Sequence, residues 1–170
     1  VSYVVHFEHF NSKGESEVFV VSTGANDRSI YFWDIVSGDM LFSLDNHDSV
    51  ITSIVDAGNG KNLVSAAADG TIIVWNIELR APVQILRDVE FTAKPKNYFN
   101  CLTLRLLNNK CRLVKADLRG NITIYMINNF QEQSFLGQPT TLQFNKPITH
   151  LFASKVKQNY FVIKTTDSRI

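Results

Sequence analysis

Short apolar runs, in places alternating with polar residues, recur along the chain and are divided by turn-forming residues. Leu63–Ala67 and Thr71–Ile77 are two neighbouring runs, and Asp69-Gly70 separates them. A two-residue alternation is typical of β-strands with one buried face, and Asp-Gly between two apolar runs favours a hairpin turn. The pattern therefore predicts an all-β chain built from short antiparallel strands.

The first half of the chain contains two copies of one pattern, at Val21–Asp34 and Asn62–Asn76. Each copy has an apolar strand, a small polar residue, an Asp in a turn, a second strand, and a Trp followed by Asp or Asn. The Asp-to-Trp spacing is six residues in both copies, and Trp33 and Trp75 are 42 residues apart. A repeat of about 40–45 residues with four short strands is typical of a propeller blade.

The repeated segment resembles the WD40 family, whose repeat ends in Trp-Asp. The resemblance implies a WD40-type β-propeller with about four blades in this chain, the last one incomplete. Blades are expected over residues 1–45, 46–87, 88–137 and 138–170. Because WD40 propellers usually close with seven or eight blades, we expect a fragment of a larger propeller. The remaining blades would come from the same longer chain or from a partner.

A third, degenerate copy spans Leu113–Ile127 and aligns with Leu63–Ile77 at a constant offset of 50 residues. Three residues of the pattern are replaced, the Trp by Tyr125, the turn Asp by Arg119 and the small Ser by Lys115. Asp117 lies two residues before the matched position, which leaves its ability to substitute open. The loss predicts lower intrinsic stability in this blade, or local use for binding.

Blade two holds a set of residues that could be mistaken for a catalytic triad: His47, Ser65, Asp69 and Trp75. Ser, His and Asp together would suggest a hydrolase, but no G-x-S-x-G nucleophile turn surrounds Ser65. The WD40 resemblance implies instead a structural hydrogen-bonded network, in which the indole donates, the hydroxyl donates and accepts, and the histidine bridges to the carboxylate. We therefore predict that the chain is not an enzyme.

The matching residues of blade one are Ser22, Asp27 and Trp33. The histidine of that blade would precede residue 1, although His6 and His9 are alternatives. The resemblance also places the turns between the second and third strands of each blade on one face, together with the crossings between blades. Loops on a rigid scaffold are a common place for recognition. Candidate partner-binding residues on this face are Asn26, Arg28, Asp48, Ala68, Lys94, Lys96, Arg119, Ser168 and Arg169.

Charge is distributed unevenly although the net charge is only +1. Residues 1–90 carry five Lys/Arg and thirteen Asp/Glu, whereas residues 91–170 carry twelve and three, giving −8 and +9. Such an asymmetry can indicate contact with nucleic acid, or it can be a dipolar surface without a specific role. The leading hypothesis is a scaffold that assembles other protein subunits. The alternative is an RNA-associated subunit that assists an RNA-modifying or RNA-processing enzyme, although no RNP-like aromatic run is present.

Other function classes find little support in the composition. There is no run of about 18 apolar residues for a membrane span, no phosphate-binding glycine motif and no metal-ligand spacing among the four histidines. No cofactor and no metal are therefore expected. Cys101 and Cys111 lie in predicted neighbouring strands, and reduced thiols are favoured over a disulfide in a cytoplasmic or nuclear protein.

Overall fold

The computed structural model describes residues 3–87, 101–107, 110–128, 135–153 and 161–165. These residues form fourteen β-strands in three four-stranded sheets and one strand pair. Strands that are consecutive within each sheet pair with one another and run antiparallel. The prediction of an all-β chain with four-stranded repeats is confirmed, and the arrangement is that of a partial β-propeller.

The strand bounds follow the repeat closely. The first sheet contains β1 Tyr3–Phe10, β2 Ser16–Thr23, β3 Ser29–Asp34 and β4 Met40–Asp45. The second contains β5 Ile51–Asp56, β6 Asn62–Ala67, β7 Ile72–Asn76 and β8 Ala81–Leu86. The third contains β9 Cys101–Leu107, β10 Lys110–Ala116, β11 Asn121–Asn128 and β12 Phe135–Gln143, and the pair is β13 Ile148–Ala153 with β14 Phe161–Thr165. Strand β12 continues past residue 137, where the third blade was expected to end.

Strand register supports the alignment of the degenerate copy with its regular counterpart. In the second sheet Leu63 lies opposite Trp75, and in the third Leu113 lies opposite Tyr125. The two pairs are related by the offset of 50 residues that the sequence predicts. The register also places Cys101 opposite Ala116, five positions along β10 from Cys111. At about 3.3 Å per residue the two cysteines are too far apart for a disulfide between them.

The core lies between the sheets, so the middle strands of the second sheet, β6 and β7, are buried on both faces. Leu63 packs with residues of the first sheet such as Phe7 and Phe32, whereas its neighbour Val64 packs towards Leu113 of the third sheet. Alternate residues of a strand point to opposite faces, which explains why every residue of β6 is buried. Each fully buried Leu or Phe contributes roughly 1.5–3 kcal/mol, and this packing stacks the sheets side by side.

Main-chain hydrogen bonds also join consecutive sheets. On one side, the Ile51 N–H donates to the Asp27 carbonyl at 2.9 Å, and the Ile148 N–H donates to the Asp117 carbonyl at 3.3 Å. On the other side, the Phe10 N–H donates to the Gly60 carbonyl at 3.0 Å. We call the side that carries the β2–β3, β6–β7 and β10–β11 turns the hairpin face, and the other side the opposite face.

Candidate functional site

The network in the second sheet centres on the Ser65 hydroxyl. The Trp75 indole N–H donates to Ser65 Oγ at 2.8 Å, and His47 Nε2 lies 2.6 Å from the same oxygen. Ser65 is completely buried, and Trp75 and His47 are nearly so. A hydroxyl can accept one bond and donate another. Ser65 therefore links Trp75 of strand β7 to His47, which lies in the crossing that precedes strand β5.

The expected bridge from His47 to Asp69 is not formed. Asp69 Oδ1 accepts the N–H of Thr71 at 2.9 Å, and His47 Nδ1 has no hydrogen-bond partner among the described residues. Asp69 acts on the imidazole only through its charge. Burial lowers the pKa of His47 to about 4, and the charges of Asp69 and then Asp48 oppose that shift. His47 is therefore neutral near pH 7, and three of the four residues form one hydrogen-bonded chain.

This geometry does not suit acyl transfer. A nucleophilic serine must reach its substrate, whereas Ser65 has no exposed surface. Its oxygen already accepts the indole N–H, and within the described part of the chain no carboxylate orients the second imidazole nitrogen. A working triad needs that carboxylate to hold the imidazole, so these residues lack the arrangement of a hydrolase.

The first sheet repeats part of the network. The Trp33 indole N–H donates to Ser22 Oγ at 2.8 Å. Asp27 Oδ1 accepts the backbone N–H of the residue two positions ahead, Ser29, just as Asp69 accepts that of Thr71. The two aspartates thus share this bond, and Asp27 Oδ1 also accepts the Arg28 N–H at 2.9 Å.

Neither histidine of β1 is shown to complete the first-sheet network. His9 is buried, and its Nδ1 lies 2.8 Å from the Gly60 carbonyl oxygen, so it ties the first sheet to the second on the opposite face. His6 lies opposite Val20 in the strand pairing. The sequence identified these histidines as candidates by their residue type alone, and only the register shows where each one lies.

The third sheet keeps the turn without an Asp at the matched position. Asp117 Oδ1 accepts the N–H groups of Arg119 and Asn121, each at 2.9 Å, and its Oδ2 accepts the Asn121 side-chain amide. Asp117 therefore does substitute for the turn aspartate, although it is two residues earlier. Lys115 is buried at the position of the small serine, and Tyr125 packs beside Leu113.

The hairpin face brings together several candidate binding residues. Asn26, Arg28, Asp48 and Arg119 are exposed, and Ala68 is half-buried. The strand start at Val50 and Ile51 joins the first two turns, because Val50 accepts the Ala68 N–H and Ile51 donates to Asp27. Lys94, Lys96, Ser168 and Arg169 lie outside the described residues.

One further basic residue belongs to this face and was not predicted. The Lys146 carbonyl lies 2.6 Å from the position that a Cβ on Gly120 would occupy, so the segment after β12 passes directly over the third turn. Lys146 is exposed and therefore accompanies Arg119 at this end of the third sheet. Lys146 lies just before β13, as Asp48 lies just before β5. Both residues are thus in crossings between sheets, and this shared position could have identified Lys146 from the sequence.

Four-stranded antiparallel sheets stacked side by side, with a Ser–Trp bond in the first two, define a β-propeller repeat protein. Residues 38–76 match the family model described as "WD domain, G-beta repeat". That segment is therefore similar to a WD40 repeat, in agreement with the resemblance seen in the sequence.

Several curated proteins are similar to parts of this chain. It is 25% identical over 122 residues to "Periodic tryptophan protein 2 homolog" of Neurospora crassa, covering 69% of this chain and 12% of the relative. It is 31% identical over 78 residues to "WD repeat and SOCS box-containing protein 1" of Danio rerio, covering 45% and 18%. Human "Striatin" is 34% identical over 76 residues, covering 45% and 9%. The chain thus spans less than a fifth of the length of these curated relatives.

A solved structure shares the fold over nearly the whole chain. The crystal structure of the computationally designed Ika4 protein superimposes with a TM-score of 0.59 at 26% identity, covering 98% of this chain and 87% of that one. In the part of our chain that the structure describes, there is no helix long and apolar enough to cross a membrane.

Proposed function

We propose that this chain is a non-catalytic scaffold that docks other protein subunits through its hairpin face and helps to assemble a multiprotein complex. The observation that carries the proposal is the set of exposed side chains on turns that main-chain bonds hold in place. Arg28 lies in a turn of the first sheet and Asp48 in the crossing to the second sheet, and the Ile51–Asp27 bond joins the segments that carry them. Preorganised loops lose little entropy on binding, so such a surface suits specific recognition.

The chemistry of the face also suits a protein partner. It presents both signs of charge, with Arg28 and Arg119 on two turns and Asp48 in the crossing between them. Arginine is enriched at protein interfaces, and complementary charges contribute to partner choice and association rate. We extend the proposal to a cytoplasmic or nuclear complex, in which further blades come from the same longer chain or from a partner.

An RNA-associated role is the second candidate, and the charge of residues 91–170 favours it. Arg119 and Lys146 place two of those cations at one end of the third sheet. An RNA subunit of this kind would bind phosphates, and its affinity would fall steeply with salt because bound counterions are released. Lys94, Lys96 and Arg169 would have to contribute as well.

Affinity purification of the intact protein, washed at low and at moderate salt, separates the two candidates. The variant Arg28→Glu/Arg119→Glu alters the hairpin face, and Lys13→Glu makes the same type of change in the exposed β1–β2 turn of the opposite face. Under the scaffold proposal, a stoichiometric protein partner survives the salt wash. The double variant loses that partner at least tenfold, whereas Lys13→Glu retains it.

RNA that elutes with salt, without a retained protein, would instead support the RNA-associated role. Charge reversal at Lys94, Lys96, Arg119 and Arg169 should then abolish RNA retention. A protein partner that Arg28→Glu/Arg119→Glu leaves bound would contradict docking at the hairpin face.

A further inference from the structure

A groove of about 820 Å³ lies on the opposite face, between the first and second sheets. Its apolar wall includes Phe19, Ile35, Val36, Leu41, Phe42 and Ile77. These residues come from strands β2 and β4, from the turn after β3, and from the residue after β7. The volume falls in the range of roughly 300–1,000 Å³ that is typical of ligand pockets.

The floor of the groove is a fixed aromatic cluster. The Phe42 ring stacks on Phe32 with centroids 4.4 Å apart and meets Phe19 edge-to-face at 6.0 Å. Phe32 is fully buried and Phe19 nearly so, which holds Phe42 in place. Aromatic pairs in these geometries contribute about 0.5–1.5 kcal/mol each beyond burial, so the floor exists before any ligand binds.

The lip of the groove exposes apolar side chains on a rigid turn. Val36 is 91% exposed and Ile35 55% exposed, and Leu41 lies across the turn from them. Asp34 Oδ1 accepts the N–H groups of Val36 and Ser37, both at 2.7 Å. An apolar surface of this kind is typical of an interaction site. The two bonds to the Asp34 carboxylate fix the conformation of the turn that carries it.

The rim carries an excess of negative charge. Glu17, Asp34 and Glu78 line the groove, and Arg80 is the only Lys or Arg among the described residues that do so. Hydrogen bonds from the Ser37 and then the Val36 backbone lower the pKa of Asp34, which keeps its charge in place. The guanidinium carbon of Arg80 sits 4.3 Å from the Phe42 ring centroid. The one cation is thus already engaged with the floor.

Arg80 also has an unusual backbone, with a φ of 51°. A non-glycine residue in the left-handed region costs of order 1 kcal/mol or more and persists where its surroundings require it. Here the Arg80 N–H donates to the Ile77 carbonyl at 3.2 Å, and the cation–π contact holds the side chain. This turn therefore forms a second fixed part of the groove lining, together with Ile77 and Glu78.

We infer that the groove docks a short apolar peptide segment of a partner protein that carries Lys or Arg beside its apolar side chains. The apolar residues would pack on Phe42, Val36 and Leu41, and the basic residues would pair with Glu17 and Glu78. The excess of carboxylates over cations on the rim selects this occupant over an acidic one. The inference goes beyond the hairpin-face proposal, because the groove uses different turns on the other side of the sheets.

Selection of a displayed peptide library on the intact protein tests the inference directly. Enriched peptides are synthesised, and their dissociation constants are measured by fluorescence polarisation at two salt concentrations. We expect apolar sequences flanked by Lys or Arg. Val36→Asp should weaken binding at least tenfold, and Glu17→Lys/Glu78→Lys should weaken it several-fold and reduce its salt dependence.

Val4→Asp is the matched control, since Val4 is 63% exposed and lies outside the groove. It should leave affinity unchanged, and equal melting temperatures would show that all variants fold. Enrichment of acidic peptides, or affinity insensitive to Val36→Asp, would overturn the inference. Peptides lost on Arg28→Glu instead would place binding on the hairpin face, so that the groove inference fails while the scaffold proposal stands.

Discussion

At the scale of single residues, the Ser65 hydroxyl serves two buried partners, the Trp75 indole and the His47 imidazole. A buried polar group that loses its partner costs roughly 1–3 kcal/mol. Removing this oxygen therefore leaves two such groups unsatisfied, whereas the Ser22 oxygen of the first sheet has one partner in the network, Trp33.

Ser65→Ala should lower the free energy of unfolding by about 2–4 kcal/mol, because two buried groups lose a partner. Ser22→Ala should cost less, about 1 kcal/mol, since it removes one part-buried bond. Urea titrations followed by Trp fluorescence measure both. An equal loss in the two variants would contradict the linking role of Ser65.

His47 should make stability depend on pH. Its pKa is lowered by burial from 6.5 to about 4, so between these values the unfolded chain binds a proton that the folded chain does not. Stability should therefore fall as pH decreases from 6.5 towards 4, by at most about 3 kcal/mol from this residue.

His47→Gln should flatten that slope, whereas His150→Gln, at an exposed position, should keep it. Unfolding curves collected across the pH window decide between them. A slope that survives in His47→Gln would assign the pH dependence to other groups.

At the scale of strands and turns, the β10–β11 hairpin depends on one glycine. Gly120 has a φ of +84°, and a Cβ there would lie 2.0 Å from the Phe144 carbonyl oxygen and 2.6 Å from that of Lys146. Main-chain atoms cannot swing aside as a flexible side chain can, so the segment after β12 would have to move.

Gly120→Ala should therefore destabilise the protein by well over the roughly 1 kcal/mol that left-handed strain alone costs. Gly14→Ala is its matched control, because Gly14 has a φ of +79° and nothing within 4 Å of the added carbon. Thermal unfolding of both variants tests the difference, and similar melting temperatures would contradict the contact with the segment after β12.

The elements themselves could be predicted from the repeat to a large extent. The Trp spacing and the offset of 50 residues locate the strands of three sheets, because apolar runs between turns carry that information. The role of Asp117 could not be predicted, since an aspartate can hold a turn from more than one position and only the backbone shows which N–H groups it meets. The absence of a His47–Asp69 hydrogen bond could not be predicted either, because the resemblance to a family gives residue types and not the distances between their atoms.

At the scale of the whole molecule, consecutive sheets share main-chain bonds as well as side-chain contacts. The Ile51 N–H joins the second sheet to the first, and the Phe10 N–H does so on the opposite face. These amides are protected only while both sheets are folded.

The groove is also a feature of the whole molecule, because the residues that line it are distant in sequence. The repeat pattern alone therefore did not indicate it.

Hydrogen exchange should report this coupling. The amides of Ile51 and Phe10 should exchange only through an opening that involves both sheets, so Ser65→Ala should raise both rates by the same factor that it lowers overall stability. The Gly14 amide, bonded within the exposed β1–β2 turn, should change little. A faster rate for Ile51 with an unchanged rate for Phe10 would show that the sheets open separately.

The boundaries of the recognised repeat have a consequence for how such a chain gains and loses length. Residues 38–76 begin just before β4, the outer strand of the first sheet, and end with β7 of the second. Excision of that segment would remove one strand from the first sheet and three from the second, and β8 would follow β3 directly. Strand β8, which the second sheet leaves behind, would then become the fourth strand of the first sheet. A deletion or duplication in this frame preserves four-stranded sheets, so the molecule can change its number of blades without an intermediate that has a broken sheet.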